Sequence, residues 1–331
     1  MGVASAKEGY ARLSTRRQVA LARDAAGRSL AAFAVEPVHL RLLNHGFNTT
    51  FRVDCADGSK YAIRVNINSR QTRAKLNAEA AWVEALGSIP GVSVPRLVRT
   101  RTDGAYTEVE LGEGWPVTSV LFAWVPGRMI GLEAHPDRYF DLGQMAARLH
   151  AHAAEWQVPD GAEFFVFRDP LAGAPWRIPE DEVFREIHDR ASAALAKLAA
   201  RPRIPIHYDL HFWNVMLCRG KVTIFDFDDA MLGWPELDAS VASFYYRQGP
   251  EARLREARFL KGIGLDRYGI SDEDFEALVA GRQLLLANEM LAVVTAELVR
   301  DAQKWVAVSR RRFEHYLETG TFDRSVATVE E

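Results

Sequence analysis

The sequence predicts an α+β protein of two lobes, a small β-rich lobe followed by a larger and mainly helical one. Runs of β-branched and aromatic residues recur up to Val125. Pro126-Gly127 breaks the last of these runs, and beyond it apolar residues recur with helical spacing. The predicted lobes are therefore residues 1–126 and 127–331.

The small lobe is predicted to begin with an amphipathic helix over Ala11–Val35 and to continue as a sheet. Asp57-Gly58 and Asp103-Gly104 have the composition of hairpin turns between neighbouring strands. A helix over Gln71–Leu86 is expected to be capped by Asn68 or Ser69. The predicted strands are Val38–Leu43, Thr50–Cys55, Lys60–Asn66, Val94–Thr100, Tyr106–Leu111 and Val117–Val125.

The large lobe is predicted to be helical except for one pair of short strands, Val215–Leu217 and Val222–Phe225, around a turn at Gly220. The predicted helices are Pro136–Trp156, Glu180–Ala200, Glu251–Gly264, Asp272–Arg300 and Ala302–Leu317.

Composition excludes several classes of protein. The 331 residues are 48% hydrophobic, which is ordinary for a globular chain, and the net charge of -3 gives no basic surplus for nucleic acid. Two cysteines, Cys55 and Cys218, cannot form a disulfide framework, which favours a reduced, cytoplasmic setting. No segment has the roughly 20 apolar residues of a membrane span. We therefore expect no nucleic-acid or membrane partner, and the sequence leaves the oligomeric state open.

The segments His207–Asn214 and Phe225–Asp229 carry the polar residues that indicate chemistry. If the two short strands pair around a turn centred on Gly220, Asn214 lies opposite Asp226, with Cβ atoms about 5 Å apart. An amide oxygen and a carboxylate form a site of hard oxygen ligands, which suits Mg²⁺. Asp209, on the loop that enters the hairpin, is placed to reach the same space without binding the metal.

The spacing from His207 through Asp209 to Asn214 is the H-x-D-x-x-x-x-N of a kinase catalytic loop. The run resembles the superfamily of kinase-like small-molecule phosphotransferases: aminoglycoside phosphotransferases, choline kinases and homoserine kinases. It looks nearest to the branch with homoserine kinase and the bacterial stress-response Ser/Thr kinase, whose H-x-D-L-H-x-x-N precedes I-D-F-D-D. Here Phe225 replaces the Ile, and the resemblance covers roughly residues 38 to 245. It implies a bilobal protein-kinase-like fold, with ATP and Mg²⁺ as cofactors.

In such families each motif position has a role, which the resemblance assigns here residue by residue. Asp209 would be the catalytic base, Asn214 and Asp226 would hold Mg²⁺, and Asp238 would brace the catalytic loop. His207 is expected to fix the loop backbone. Three alternatives stay open: His211 supports the loop or merely packs, Asp228 helps to position the metal or lies in a solvated turn, and Asp238 caps a helix over Ser240–Tyr246.

The small lobe contains an altered form of the nucleotide-binding strand. Ala62 and Arg64 face the same side of a strand, in a run that looks like V-A-I-K with Arg64 in place of Lys. Glu79 lies in an apolar helical stripe and needs a partner, for which Arg64 is the candidate, because burying a lone carboxylate is costly. The alternative is that Glu79 lies exposed on the surface of its helix, without a partner.

Two further segments complete the expected nucleotide site. The loop Asn44–Thr50 has one glycine where kinases have three, so backbone N–H groups and the side chains of Asn48 and Thr49 are expected to approach the phosphates. The segment Phe122–Gly127, which includes Trp124, resembles the hinge that binds adenine.

These observations predict an ATP-dependent kinase that phosphorylates a hydroxyl of a small molecule, such as an amino alcohol, an amino acid or an aminoglycoside-like compound. One alternative is a Ser/Thr protein kinase of the stress-response type, although no activation segment is recognisable between Asp229 and Asp238. The other is a non-catalytic nucleotide-binding module, which Arg64 and the single glycine motivate.

Overall fold

The computed structural model describes residues 3–112, 114–132, 134–265 and 269–328, and it places an antiparallel sheet before a mainly helical lobe. This confirms the predicted α+β class. Within these ranges, no helix is both long enough and apolar enough to cross a membrane.

The sheet of the small lobe is antiparallel throughout, in the order β1-β2-β3-β6-β4, with β5 also paired to β6. The prediction that the fourth and fifth strands form a hairpin is wrong. Both instead lie end to end along one edge of the eight-residue strand β6, because each is too short to span it. The strands are β1 (Pro37–His45), β2 (Thr49–Cys55), β3 (Lys60–Val65), β4 (Leu97–Val98), β5 (Thr107–Glu110) and β6 (Pro116–Ala123).

Three helices pack on this sheet: α1 (Val3–Ala11), α2 (Thr15–Leu30) and α3 (Arg73–Leu86). The helix predicted for Ala11–Val35 is the shorter α2, which begins after Ser14 because that residue caps it by accepting a hydrogen bond from the Arg17 N–H, and α1 was not predicted. Thr72, not Asn68 or Ser69, caps α3. The alanine face of α2 and the alternate residues Phe51 and Val53 of β2 form the small-lobe core.

The large lobe consists of six helices and several short strands among its described residues. The strands are β7 (Arg128–Met129), β8 (Ile204–Ile206), β9 (Val215–Cys218), β10 (Lys221–Ile224) and β11 (Met231–Gly233). The helices are α4 (Asp137–Glu155), α5 (Glu182–Leu198), α6 (Pro235–Tyr246), α7 (Ala252–Ile263), α8 (Asp272–Met290) and α9 (Ala296–Thr319).

The helix predicted for Asp272–Arg300 ends ten residues early, because the segment between α8 and α9 is bound to the small lobe. Gln18 of α2 donates to the Val294 carbonyl at 2.9 Å and accepts from the Ala296 N–H at 2.8 Å. Asn68 accepts from the Val294 N–H at 2.8 Å. These bonds connect the two lobes on the side of the molecule where α8 ends.

Candidate active site

The β9–β10 hairpin brings the polar motif together, but in a register different from the predicted one. Cys218 pairs with Lys221 across a two-residue turn, Arg219-Gly220, whose φ values of 50° and 80° are those of a type I′ turn. This turn shifts the register by one residue relative to a turn centred on Gly220. Asn214 therefore lies opposite Phe225, whose N–H donates to the Asn214 carbonyl at 3.0 Å.

Asp226 follows the end of β10 and has a left-handed backbone, with φ of 64°. Asn214 and Asp226 are therefore not directly opposed across the hairpin. Both nevertheless line one cavity beneath the small lobe. The shared cleft that the sequence predicts is present, and the turn of the chain after β10 forms it.

Asp238 binds the loop that leads to the motif. Its buried carboxylate accepts from His150 Nε2 at 2.7 Å, from the His207 N–H at 3.1 Å and from the Tyr208 N–H at 2.6 Å. It is not the N-cap of a helix, because α6 begins at Pro235 and Trp234 occupies that position. The two backbone bonds hold Tyr208 in a left-handed conformation, with φ of 62°.

His207 is fully buried and bridges the two motif segments. Its Nδ1 accepts from the Asp209 N–H at 3.2 Å, so its Nε2 is the nitrogen that donates to the Phe225 carbonyl, at 3.1 Å. Burial lowers the pKa of the His207 imidazole, which favours this neutral form. The expected role in fixing the loop backbone agrees with these contacts.

Asp209 is held by three side chains. Its Oδ1 accepts from Arg282 at 2.6 Å, and its Oδ2 accepts from Asn214 Nδ2 at 2.7 Å and from His211 Nε2 at 3.1 Å. Burial by itself would raise the pKa of Asp209, but His211 and Arg282 outweigh it and hold that pKa below its ordinary value. Asp209 is therefore an ionised carboxylate of fixed orientation.

His211 supports this arrangement rather than merely packing. Its Nδ1 accepts from the Trp213 N–H at 3.1 Å, which leaves Nε2–H as the donor to Asp209. Its ring also stacks on Tyr245, with ring centroids 3.9 Å apart.

Arg64 and Glu79 form the predicted ion pair, at 2.8 Å, with side chains only 5% and 2% exposed. The alternative of an exposed Glu79 is therefore wrong. Arg64 also donates to Asp226 Oδ1 at 2.9 Å and lies 3.2 Å from Asp228. One buried guanidinium thus joins the strand, the helix and the motif of the large lobe.

Asp228 is a link between the lobes and not a residue of a solvated turn. Its carboxylate accepts hydrogen bonds from Asn48 at 2.7 Å, from Gln71 at 2.5 Å and from Ser69, while Lys75 donates to its carbonyl. These contacts use four side chains of the small lobe.

The expected phosphate contacts of Asn48 and Thr49 do not match this structure. Asn48 is bound to Asp228, and the fully buried Thr49 is hydrogen-bonded to His45 Nδ1 at 2.7 Å. Side chains alternate along β2, so Thr50, which pairs with Arg64, faces the cleft and Thr49 faces the core. Asn44 and Thr50 line the cavity in their place.

Residues of the two motif segments line two cavities. The first, of about 560 Å³, is the one beneath the small lobe, and Ala62, Arg64, Trp124, Asn214 and Asp226 are among its lining residues. The second, of about 220 Å³, is lined by residues that include Tyr208, Asp228, Asp229, Arg282 and Glu289. We call them the nucleotide cavity and the acceptor cavity, after the ligands that we propose for them below.

Asp209 lines neither cavity but links the wall of one to the wall of the other. One of its oxygens binds Asn214, a wall residue of the nucleotide cavity, and the other binds Arg282, a wall residue of the acceptor cavity.

Trp124, in the segment that resembles an adenine-binding hinge, lines the nucleotide cavity. Its backbone N–H already donates a hydrogen bond to the Lys60 carbonyl, at 3.1 Å.

Sequence reasoning missed Arg282 and Glu289, whereas Asp229 is the last residue of the motif that begins at Phe225. Arg282 is 4% exposed and its guanidinium lies over the rings of Tyr208 and Tyr245. The signal that identifies Glu79, a charge within an apolar helical stripe, was also present at Arg282. The sequence could not predict the partner of Arg282, because Asp209 lies 73 residues away along the chain.

Comparison with known proteins agrees with this geometry. The model of the phosphotransferase enzyme family matches residues 39–270. The chain belongs to the phosphotransferase enzyme family. This confirms the family and the class of enzyme that the sequence predicts. Arg282 and Glu289 lie outside the matched residues.

Individual members of the family are distant from this chain. Amicoumacin kinase of Bacillus subtilis (strain 168) is 22% identical over 193 residues, which are 56% of each protein, so the chain spans about half the length of that curated relative. A microcompartment-associated aminopropanol kinase is 23% identical, with a TM-score of 0.72 over 91% of this chain and 99% of the other.

The amicoumacin kinase hAmiN, solved with AMP-PNP, Ca²⁺ and Ami, is 18% identical, with a TM-score of 0.71 over 95% and 96% of the two chains. At these identities the likeness shows the fold, and it confirms the bilobal kinase-like architecture.

Proposed function

We propose that this chain transfers the terminal phosphate of ATP to a hydroxyl group of a small molecule, with Mg²⁺ as the metal. The observation that carries the proposal is that Asp209 links two cavities, with one carboxylate oxygen bound to a wall residue of each. Phosphoryl transfer needs the acceptor hydroxyl in line with the terminal phosphate, and a carboxylate beside that hydroxyl can orient it and accept its proton.

The larger cavity suits the nucleotide. Its volume of about 560 Å³ lies within the usual range for a ligand site of roughly 300–1,000 Å³. Ala62, Trp124 and Met216 supply apolar wall for a base, and Arg64 supplies positive charge for phosphates. Because Glu79 orients the Arg64 guanidinium, the charge is fixed before the ligand binds.

The residues fit a magnesium ion. Asn214 uses its amide NH₂ on the carbonyl and carboxylate of Asp209, which leaves its Oδ1 as a ligand. The Asp226 side chain is 40% exposed, but partial loss of water contact and its carboxylate neighbours Asp228 and Asp209 raise its pKa to about 6 despite Arg64. A divalent cation held by Asn214 and Asp226 would relieve this crowding of negative charge. When bound, Mg²⁺ supplies charge neutralisation on the phosphates.

The chain's own residues then position the acceptor. An ionised Asp209 retains lone pairs beyond those bound to Arg282, Asn214 and His211, so it can accept the hydrogen bond of a substrate hydroxyl. Its low pKa makes it chiefly an orienting group, which takes the proton as the oxygen–phosphorus bond forms. Arg282 and His211 hold the carboxylate in place.

The relatives support a small acceptor, since their names specify aminopropanol and amicoumacin, and the structure of hAmiN contains an ATP analogue with a divalent cation. We propose by this likeness that the acceptor here belongs among amino alcohols, amino acids and aminoglycoside-like compounds.

The test is a pair of substitutions measured for both binding and transfer. Asp209→Asn should lower phosphoryl transfer by about 10²-fold or more and leave AMP-PNP affinity close to that of the wild type. Asp226→Asn should abolish Mg²⁺-dependent AMP-PNP binding. Asp189→Asn, which changes an exposed carboxylate on α5, is the matched control. Full transfer by Asp209→Asn, or unchanged nucleotide affinity in Asp226→Asn, would contradict the proposal.

The same protein separates the two alternatives. Incubated with labelled ATP and a cell lysate divided by molecular size, it should label the small-molecule fraction. Label in the protein fraction instead would indicate a Ser/Thr protein kinase. Nucleotide binding with no transfer in either fraction would indicate a non-catalytic module.

A further inference from the structure

Residues 291–295, which we call the α8–α9 segment, join two helices and contribute wall to the acceptor cavity, for example through Val293. The backbone next to this wall residue is bound by side chains of the small lobe. The Val294 N–H donates to Asn68 Oδ1 at 2.8 Å, and the Val294 carbonyl accepts from Gln18 Nε2 at 2.9 Å. Two amide side chains therefore fix the α8–α9 segment beside the acceptor cavity.

Gln18 is fully buried, and its amide makes four hydrogen bonds. Besides the Val294 carbonyl, its Nε2 donates to the Tyr10 carbonyl at 2.8 Å. Its Oε1 accepts from the Ala296 N–H at 2.8 Å and from His45 Nε2 at 3.2 Å. Both donors and both lone pairs of the amide are thus used, which fixes its orientation.

His45 connects Gln18 to the turn between β1 and β2, at the edge of the nucleotide cavity. It is the last residue of β1, and its neighbour Asn44 lines that cavity. Across the turn, His45 Nδ1 is 2.7 Å from the hydroxyl of Thr49, whose neighbour Thr50 also lines the cavity. Because Gln18 Oε1 can only accept, Nε2 of the neutral imidazole carries the proton and Nδ1 accepts from the hydroxyl.

Asn68 makes a second connection beside the first. Its Nδ2 and its backbone N–H both donate to the Phe47 carbonyl, at 2.8 Å and 3.1 Å. Phe47 lies in the turn between β1 and β2, and the Oδ1 of the same Asn68 accepts from Val294. The turn that borders the nucleotide cavity is therefore joined through two amides to the wall of the acceptor cavity.

The connection extends beyond the residues that the family model matches. Gln18 precedes residues 39–270 and the α8–α9 segment follows them, whereas His45 and Asn68 lie within them. Gln18 thus joins two parts of this chain that lie on either side of the matched region.

We propose that Gln18 and Asn68 are positioning residues that couple the two cavities. A nucleotide that orders the β1–β2 turn also fixes the α8–α9 segment, and with it the wall against which the acceptor is placed. The physical basis is that the segment opens only by breaking its bonds to these two amides, so a ligand that stabilises their partners in the turn makes opening more costly. This rests on the proposed function, which places the nucleotide in the cavity beside the turn.

The test is hydrogen–deuterium exchange of the full chain at single-amide resolution, with AMP-PNP and Mg²⁺ as the probe. The quantity measured is the ratio of the exchange rates without and with the nucleotide, at the amides of Val294 and Ala296. In the wild type the nucleotide should slow both amides by about fivefold or more, which is the lower end of the usual coupling between two sites.

Each variant is measured at the amide whose own hydrogen bond it keeps. Gln18→Met is measured at Val294, which stays bound to Asn68, and Asn68→Leu is measured at Ala296, which stays bound to Gln18. In each variant the ratio should fall to less than about half of the wild-type value. A merely structural role would speed exchange equally with and without the nucleotide, and the ratio would stay the same.

Gln283→Met is the matched control. Gln283 is also a fully buried amide, but it binds Ser309 at 2.6 Å and Arg312 at 2.7 Å within the large lobe. Its loss removes a comparable set of buried hydrogen bonds without touching the β1–β2 turn, so both ratios should keep their wild-type values.

The outcomes separate the inference from the proposed function. A wild type that binds AMP-PNP without slower exchange at either amide overturns the inference and leaves the proposed function in place. Ratios that are unchanged in both site variants, or that fall equally in Gln283→Met, overturn it as well. If one site variant does not fold, the other decides. A wild type that binds no AMP-PNP overturns the proposed function itself, and the inference with it.

Discussion

Replacing Asp238 by asparagine should both destabilise the protein and slow phosphoryl transfer. The wild-type carboxylate accepts three hydrogen bonds, from the His150 side chain and from the N–H groups of His207 and Tyr208, and it is 1% exposed. An amide has one acceptor oxygen, so its NH₂ must face at least one of these donors. The loop that carries Asp209 then loses a backbone anchor.

The expected loss of stability follows from these contacts. The charge-assisted bond from His150 is worth about 1.5–3 kcal/mol, and a buried N–H left without an acceptor costs about 1–3 kcal/mol. Together they predict a loss of about 3–5 kcal/mol in the free energy of unfolding, measured by urea denaturation. Asp189→Asn on the exposed face of α5 should change it by less than about 1 kcal/mol.

The pH dependence gives an independent check. Burial raises the pKa of Asp238, but the hydrogen bond and charge of His150 outweigh burial and hold it below the ordinary value. A carboxyl with a lowered pKa in the folded state stabilises above its unfolded pKa of about 3.9, and this contribution is lost as the pH falls through the folded pKa. The difference in the free energy of unfolding between the wild type and Asp238→Asn should therefore become smaller below about pH 4. A loss under about 1 kcal/mol at neutral pH, or a gap that widens in acid, would refute the reasoning.

Four further substitutions test the packing and the nucleotide cavity. Gly143→Ala should destabilise the protein by about 1–3 kcal/mol, because a Cβ there would lie 2.7 Å from the Ile263 nitrogen. Gly27→Ala should stabilise it by up to about 1 kcal/mol, because a Cβ at this helical position meets no other atom. Melting temperatures that change in the same direction in both variants would contradict this. Arg64→Ala should lower the free energy of unfolding by about 3–5 kcal/mol, because it leaves buried carboxylates without their partner. A urea midpoint equal to that of the wild type would contradict this. Trp213, which is 55% exposed in the nucleotide cavity, should change its fluorescence on AMP-PNP binding, and Trp213→Phe should remove that change.

Much of the site follows from local sequence. The spacing of His207, Asp209 and Asn214 predicts the candidate catalytic loop, and the apolar stripe around Glu79 predicts that this carboxylate needs a partner. Both depend on residues close along the chain, or on one charge in an apolar surface, and for that reason a sequence can reveal them.

The register of the strands and the direction of their side chains were harder to predict from the sequence. A turn of two residues instead of three changed the residue opposite Asn214, since a shift of one residue turns every side chain to the other face. Thr49 was predicted to lie in the loop before β2, but it is the first residue of that strand and its side chain is buried. Asn48 is instead hydrogen-bonded to Asp228, 180 residues away along the chain.

The sequence by itself determined the two-lobe α+β class, the family and the acids of the motif, because periodicity and motif spacing are local properties. Only the tertiary structure decided which side chains hold Asp209 and what lines the acceptor cavity. Arg282 and Glu289 belong to a helix without a motif, and their contacts exist only because α8 packs against the catalytic loop.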